Sequence, residues 1–265
     1  MRRLGHRQRR HAAPRAANIA RHSPLGWPML LRAARLLILP LILALAVVAA
    51  LIASGQIVLP PRWDPFAPFD VAETPGLLTR FKFARTRADG NLCRAALARA
   101  GVAFEPVPDR VTGEGCGFSN AGRIGRLSAA SLASPVILAC PTALALAAYE
   151  RHHLGPAAAS FLNSRVARIE HLGAYACRNI NHAATGRRSR HATAEAIDVS
   201  GFVLGDGRRL TLTADWSSSD EARAGFLRAA RDGACRWFGV TLSPDYNPLH
   251  YDHFHLDTGG GRACR

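Results

Sequence analysis

Between Leu36 and Ala53 the chain reads LLILPLILALAVVAALIA, a stretch without one charged side chain. As a helix it would reach about 27 Å, close to the roughly 30 Å of a bilayer core. No charge enters before Leu59 either, so residues 36–59 are expected to form one N-terminal transmembrane helix, with Pro40 tolerated inside lipid. The flanks predict its orientation. Nine of the 34 Lys and Arg residues precede residue 36, and no acidic residue precedes Asp64. Arginine-rich flanks stay cytoplasmic. The expectation is a single-pass inner-membrane protein with a basic cytoplasmic tail, 1–35, and everything beyond Pro60 in the periplasm. A cleaved signal peptide is the alternative, although the apolar run exceeds the usual 7–15 residues or so and no small-x-small site closes it. Either way the remainder is exported.

The same asymmetry removes the nucleic-acid reading that a net charge of +15 invites. Without the tail, 25 basic residues face 19 acidic ones, a balance of +6 that singles out no anionic partner. All six cysteines (Cys93, Cys116, Cys140, Cys177, Cys235 and Cys264) lie in the exported part. An even count in an oxidising compartment predicts up to three disulfides. Without a CxxC pair they are a poor zinc-binding set. Cys93 and Cys116 bracket a short local unit and are the expected pair; the other pairings stay open.

Residues 60–85 contain PPRWDPFAPFDVAETP, where the prolines favour an extended linker. The folded domain is expected over 86–265. Asp89 can cap a helix that Gly101 ends, Pro141 suits the first turn of a helix running to Gly155, and a third helix is expected over 219–238 with Phe226, Leu227, Ala230 and Trp237 facing the core. Val166 to Leu172, Ala196 to Leu204, Leu210 to Thr213 and His253 to Asp257 read as strands, with a hairpin turn at Gly205-Asp206-Gly207. Strands without regular βαβ alternation give an α+β class, a small antiparallel sheet with flanking helices.

Two segments concentrate ligand-type residues: SRHATAEAID at Ser189–Asp198 and HYDHFHLD at His250–Asp257. Zinc favours imidazole nitrogen and carboxylate oxygen, and a catalytic site needs three protein ligands with a fourth position open. On a strand, His253 and His255 would share one face, with Phe254 and Leu256 behind. His191 and Asp198 are seven residues apart, so they converge only if a turn after His191 leads into the strand carrying Asp198. Ala192, Ala194 and Ala196 are small enough for that turn to pack closely.

Together with CRN at Cys177–Asn179 and PDYNPLHYDHFHLD at Pro244–Asp257, these segments resemble the bacterial extensin-like C-terminal domain over residues 86–264. The SxHxxxxAxD pattern and the terminal histidine are also similar to zinc D-Ala-D-Ala carboxypeptidases, in a group with lysostaphin-type endopeptidases and the hedgehog domain. That resemblance implies a carboxypeptidase/hedgehog-like fold with His191, Asp198 and His255 as zinc ligands. It implies Asp252 (the carboxypeptidase pattern) or His253 (the lysostaphin pattern) as base, and the question between them stays open, with a slight preference for Asp252. One departure is Ala194, where the carboxypeptidase pattern usually has glycine. The implied chemistry is hydrolysis of peptidoglycan peptide bonds by metal-activated water. Arg178, beside a cysteine, is the candidate for a substrate carboxylate or the oxyanion. Arg190 and Ser189 are second candidates on the substrate side, Asp257 a supporting residue, and Tyr246 and His250 candidate groove residues. The other reading is a non-catalytic, zinc-containing module that binds peptidoglycan or protein.

Overall fold

The computed structural model describes residues 27–265; most of the predicted basic tail lies outside the described residues. The chain divides into two units, residues 1–58 and 59–265. In the first, helix α1 (Trp27–Ala53) contains the whole uncharged stretch. It stops at Ala53, short of the expected end at residue 59. Among the described residues no helix is long and apolar enough to cross a membrane.

The second unit is α+β. It begins with α2 (Thr79–Ala88) and α3 (Gly90–Arg99), followed by β1 (Phe104–Pro106), β2 (Arg110–Gly113), β3 (Cys116–Phe118), β4 (Ala121–Arg126) and β5 (Ser131–Ala139). Next come α4 (Cys140–Tyr149), α5 (Gly155–Leu162), β6 (Val166–Gly173), β7 (Ala196–Leu204), β8 (Arg209–Thr211), α6 (Leu212–Asp215) and α7 (Glu221–Ala234). β9 (Val240–Leu242), β10 (Phe254–Asp257) and β11 (Ala263–Cys264) complete it. The expected small antiparallel sheet is corrected: nine strands form one mixed sheet in the order β1-β4-β5-β6-β7-β10-β9-β11, with β8 also on β7. β5 with β6 and β9 with β11 run parallel. The extra strands carry little sequence signal, since β4 is AGRIGR and β5 contains Pro135.

β7 lies in the interior of this sheet. Seven of its nine residues are buried, which suits a run, AIDVSGFVL, with little polar material. Below the sheet, α4 (CPTALALAAY) is buried on every side apart from Pro141. A helix apolar on nearly every side fits only such a position, and its one buried hydroxyl of Ser/Thr type, on Thr142, is paired with that of Thr258. The helix expected to end at Gly155 instead continues through a π turn, Glu150–Leu154, into α5. Glu150 is buried there, its carboxylate accepting from Ser128 N, Ala129 N, Ala130 N and the Ser128 hydroxyl. Caps behave as expected: Asp89 accepts from Asn91 N and Leu92 N, and Asp220 starts α7.

Residues 60–85 are not the expected extended spacer. Phe69 and Val71 enter the core, and Phe69 packs edge-on to Phe83, which meets Trp237 in the same way. Lys82 is buried, its ammonium donating to Pro61 O and Glu73. The segment even holds a 3-10 turn, Pro61–Trp63, and most of α2, so its prolines prevented neither helix nor burial. The six cysteines pair as Cys93–Cys140, Cys116–Cys177 and Cys235–Cys264. The expected Cys93–Cys116 pair is therefore wrong: Cys93 is buried on α3 against α4, where Cys140 begins the helix, while Cys116 on β3 reaches the segment before residue 178. The Cys116–Cys177 bridge spans 61 residues of chain. Its removal as Cys116→Ser/Cys177→Ser is expected to lower unfolding free energy by about 2–4 kcal/mol, read from urea midpoints; an unchanged midpoint would contradict the bridge.

Candidate metal centre

Ser189 caps a single 3-10 turn, Arg190–Thr193, and its hydroxyl accepts from His191 N. The turn closes on Ala194, which adopts the left-handed conformation at φ 55°. A side chain in that conformation costs about 1–2 kcal/mol, so the turn is under local strain that glycine would relieve. Ala192, Ala194 and Ala196 are fully buried, so the turn packs tightly before β7 begins. The consequence is that Asp198, two residues into β7, faces His191.

β10 supplies the third side chain. His255 pairs with Asp198 across the β10–β7 ladder, so both side chains leave the same face. The His255 Nδ1–Asp198 Oδ1 distance is 2.9 Å, His191 Nε2 lies 3.1 Å from Asp198 Oδ1, and His191 Nε2 lies 3.2 Å from His255 Nδ1. All three residues have potential ligand atoms within 4.8 Å of one another. Four donors at about 2.1 Å in a tetrahedron lie about 3.4 Å apart, so the spacing fits a zinc-sized ion with little movement.

The outer atoms of both rings are tied. His191 Nδ1–H donates to the Ala174 carbonyl, which leaves the Nε2 lone pair directed inward. His255 Nε2–H donates to Asp257 Oδ2 at 3.2 Å, and Asp257 Oδ1 accepts from Gly259 N. Asp257 thus supports a ring instead of joining the cluster. The Ala174 carbonyl had no signature in the sequence, because a backbone oxygen carries none. Asn247 did have one: Asn-Pro begins a capped turn, and Asn247 Oδ1 accepts from Leu249 N and from His250 Nδ1.

β10 starts at Phe254, so Asp252 and His253 both precede it and strand alternation constrains neither. The two candidate bases are bonded to each other. His253 Nδ1–H donates to Asp252 Oδ1 at 2.8 Å, and His253 Nε2 lies 3.6 Å from Asp198 Oδ1. Arg178 places NH2 3.7 Å from Asp198 Oδ2, with Cys177 fixing the chain beside it. Arg190 is turned to Glu195, 2.9 Å away, and lies against Gly259. His250 is buried, its ring centroid 5.1 Å from His253, 6.1 Å from His255 and 5.4 Å from Tyr246. The structure therefore gathers His191, Asp198, His255, His253, Asp252 and Arg178, with Tyr246 and His250 beside them.

Residues 91–265 match the family described as Extensin-like protein C-terminus. The chain belongs to this family. No curated protein matches it, and no solved structure does.

In the extensin-like domain the charges of the cluster are strongly coupled. Burial opposes ionisation of Asp198, but hydrogen bonds and charge from His191 and His255 override it and hold the carboxyl well below the ordinary range. Burial also opposes protonation of His255, and there Asp198 and Asp257 win, pushing it up to about 9. His250 is pushed down to about 4, by burial first and then by His253 and His255. An unfolded histidine titrates near 6.5. Between pH 4 and 6.5 the unfolded chain binds a proton that folded His250 refuses, so stability rises with pH; half-buried His152 and His153 act in the same direction. Between 6.5 and 9 folded His255 keeps a proton that the unfolded chain has lost, so stability falls. The urea midpoint of metal-free protein should accordingly peak near pH 6.5, and His255→Gln should remove the alkaline decline. A wild-type midpoint that climbs from pH 6.5 to 9 would contradict this.

Proposed function

We propose that the extensin-like domain is an exported zinc-dependent peptide hydrolase acting on the peptide cross-links or stems of peptidoglycan. One observation carries the reading most: three inward-facing ligand atoms 2.9–3.2 Å apart, with a histidine–carboxylate pair beside them. His191, Asp198 and His255 would hold the ion. When bound, it would supply Lewis acidity toward a water and a peptide carbonyl.

The protein's own groups do the rest. Asp252 accepts from His253 Nδ1–H, which fixes the tautomer and leaves Nε2 basic and turned toward the cluster. That nitrogen takes the proton of the attacking water and returns it to the departing amine. Asp252 then acts through His253, as a positioning residue. Arg178, held beside Cys177, offers its guanidinium to the oxyanion or to a substrate carboxylate. The exposed apolar side chains of α1, Leu36, Leu39 and Leu43 among them, support a reading of α1 as a lipid-facing inner-membrane anchor. The domain then works in the periplasm, where its disulfides persist.

Zinc-loaded protein incubated with peptidoglycan should release stem peptides or D-alanine. Asp198→Ala should abolish release, His253→Ala should lower kcat by about 10²–10⁴-fold, and Asp252→Asn by about 10–100-fold. Zinc retained without any release would favour the non-catalytic binding module.

A further inference from the structure

β5 and β6 are neighbours in the sheet but pair only where Ser131 and Leu132 meet Arg168 and Ile169. The cause lies in β5. Between Ile124 and Arg126 of β4 the register slips, so that Gly125 alone stands opposite residues 132–135 of β5. Pro135 has no N–H to give, and a bulge bends the strand that carries it. Beyond this point β5 and β6 part around a cavity of about 400 Å³, lined among others by Arg123, Pro135, Ile137, His171, Gly173 and Tyr175. Such a volume falls in the usual range of roughly 300–1,000 Å³ for ligand pockets. His171 plugs one part of the gap, its Nε2 3.4 Å from Ser134 N and 3.0 Å from Ser134 O. The imidazole stands where backbone pairing would otherwise continue.

Two further observations say what this gap suits. The first is position. Asp198 pairs with His255 on one side and with Gly173 on the other. The gap therefore opens one strand beyond the cluster, about 4.8 Å per strand. A Cβ added at Gly173 would meet nothing within 4 Å, so that position does not obstruct the row. The second is charge: the exposed Arg123 lines the cavity, and no carboxylate does. Past Ser134, whose N and O face His171, the β5 and β6 edges do not pair with each other; such edges recognise extended backbone, and an arginine recognises a carboxylate.

We propose that the β5–β6 gap binds an extended, acid-bearing peptide segment as an added strand, its carboxylate toward Arg123 and its chain directed to the His255–Asp198 row. The direction rests on the hydrolase reading; binding does not. The test uses the full chain in detergent, stripped of metal by a chelator, and the fluorescein-labelled pentapeptide L-Ala-γ-D-Glu-L-Lys-D-Ala-D-Ala. Fluorescence anisotropy should show saturable binding that Arg123→Glu weakens at least tenfold and Arg123→Lys largely keeps. Amidating the free carboxylate of the glutamate should weaken wild-type binding to a similar degree. No saturable binding, or equal affinities across these pairs, would overturn the proposal. With zinc-loaded protein, Arg123→Glu should raise KM and leave kcat nearly unchanged. Binding as described without hydrolysis would keep the gap and refute the hydrolase; hydrolysis with an unchanged KM would refute the gap and keep the hydrolase.

Discussion

The carboxylate of Asp198 is buried on an interior strand, and the local architecture is arranged around keeping it charged there. A lone buried carboxylate is costly and would take up a proton. His191 and His255 prevent this by converging on the same oxygen, at 3.1 and 2.9 Å. Each depends on a different piece of the fold. His255 is set by the antiparallel register of β10 on β7, and His191 by a capped turn that must pass through a left-handed alanine. Displacing either ring would remove one of the two hydrogen bonds that hold the charge.

Support extends outward from that contact. The Ala174 carbonyl and Asp257 orient the two imidazoles, and Asp252 orients His253. The Cys116–Cys177 bridge joins the β2–β3 hairpin to the segment carrying Arg178, whose carbonyl in turn accepts from Ser189 N. Behind the sheet, the buried, mostly apolar α4 and the Glu150 clamp on residues 128–130 fix the layer on which the strands rest. Polar geometry of this kind is held by packing more than by the polar contacts themselves.

Much of the site could be read in the sequence, because ligand chemistry is carried by side-chain type and spacing. The seven-residue interval from His191 to Asp198 required a turn, and small alanines made one possible. Pairing across the sheet was less legible. β4 and β5 carry no clear strand signal because glycine, arginine and Pro135 mask alternation, so the sheet has nine strands where the sequence suggests a small one. Prolines in 60–85 suggested a spacer, although Phe69 and Val71 are core residues. Cys93 was matched by proximity in sequence when its partner was set by helix packing. The relation between Asp252 and His253 was hidden for another reason: both precede β10, so no strand rule governs them.

The account stands on His191, Asp198 and His255 forming one metal site. Zinc content of the purified protein measures this most directly, compared with His191→Ala and His255→Ala variants that remain folded by circular dichroism. The account predicts one zinc per wild-type chain and little in either variant, whereas equal zinc in all three would contradict it.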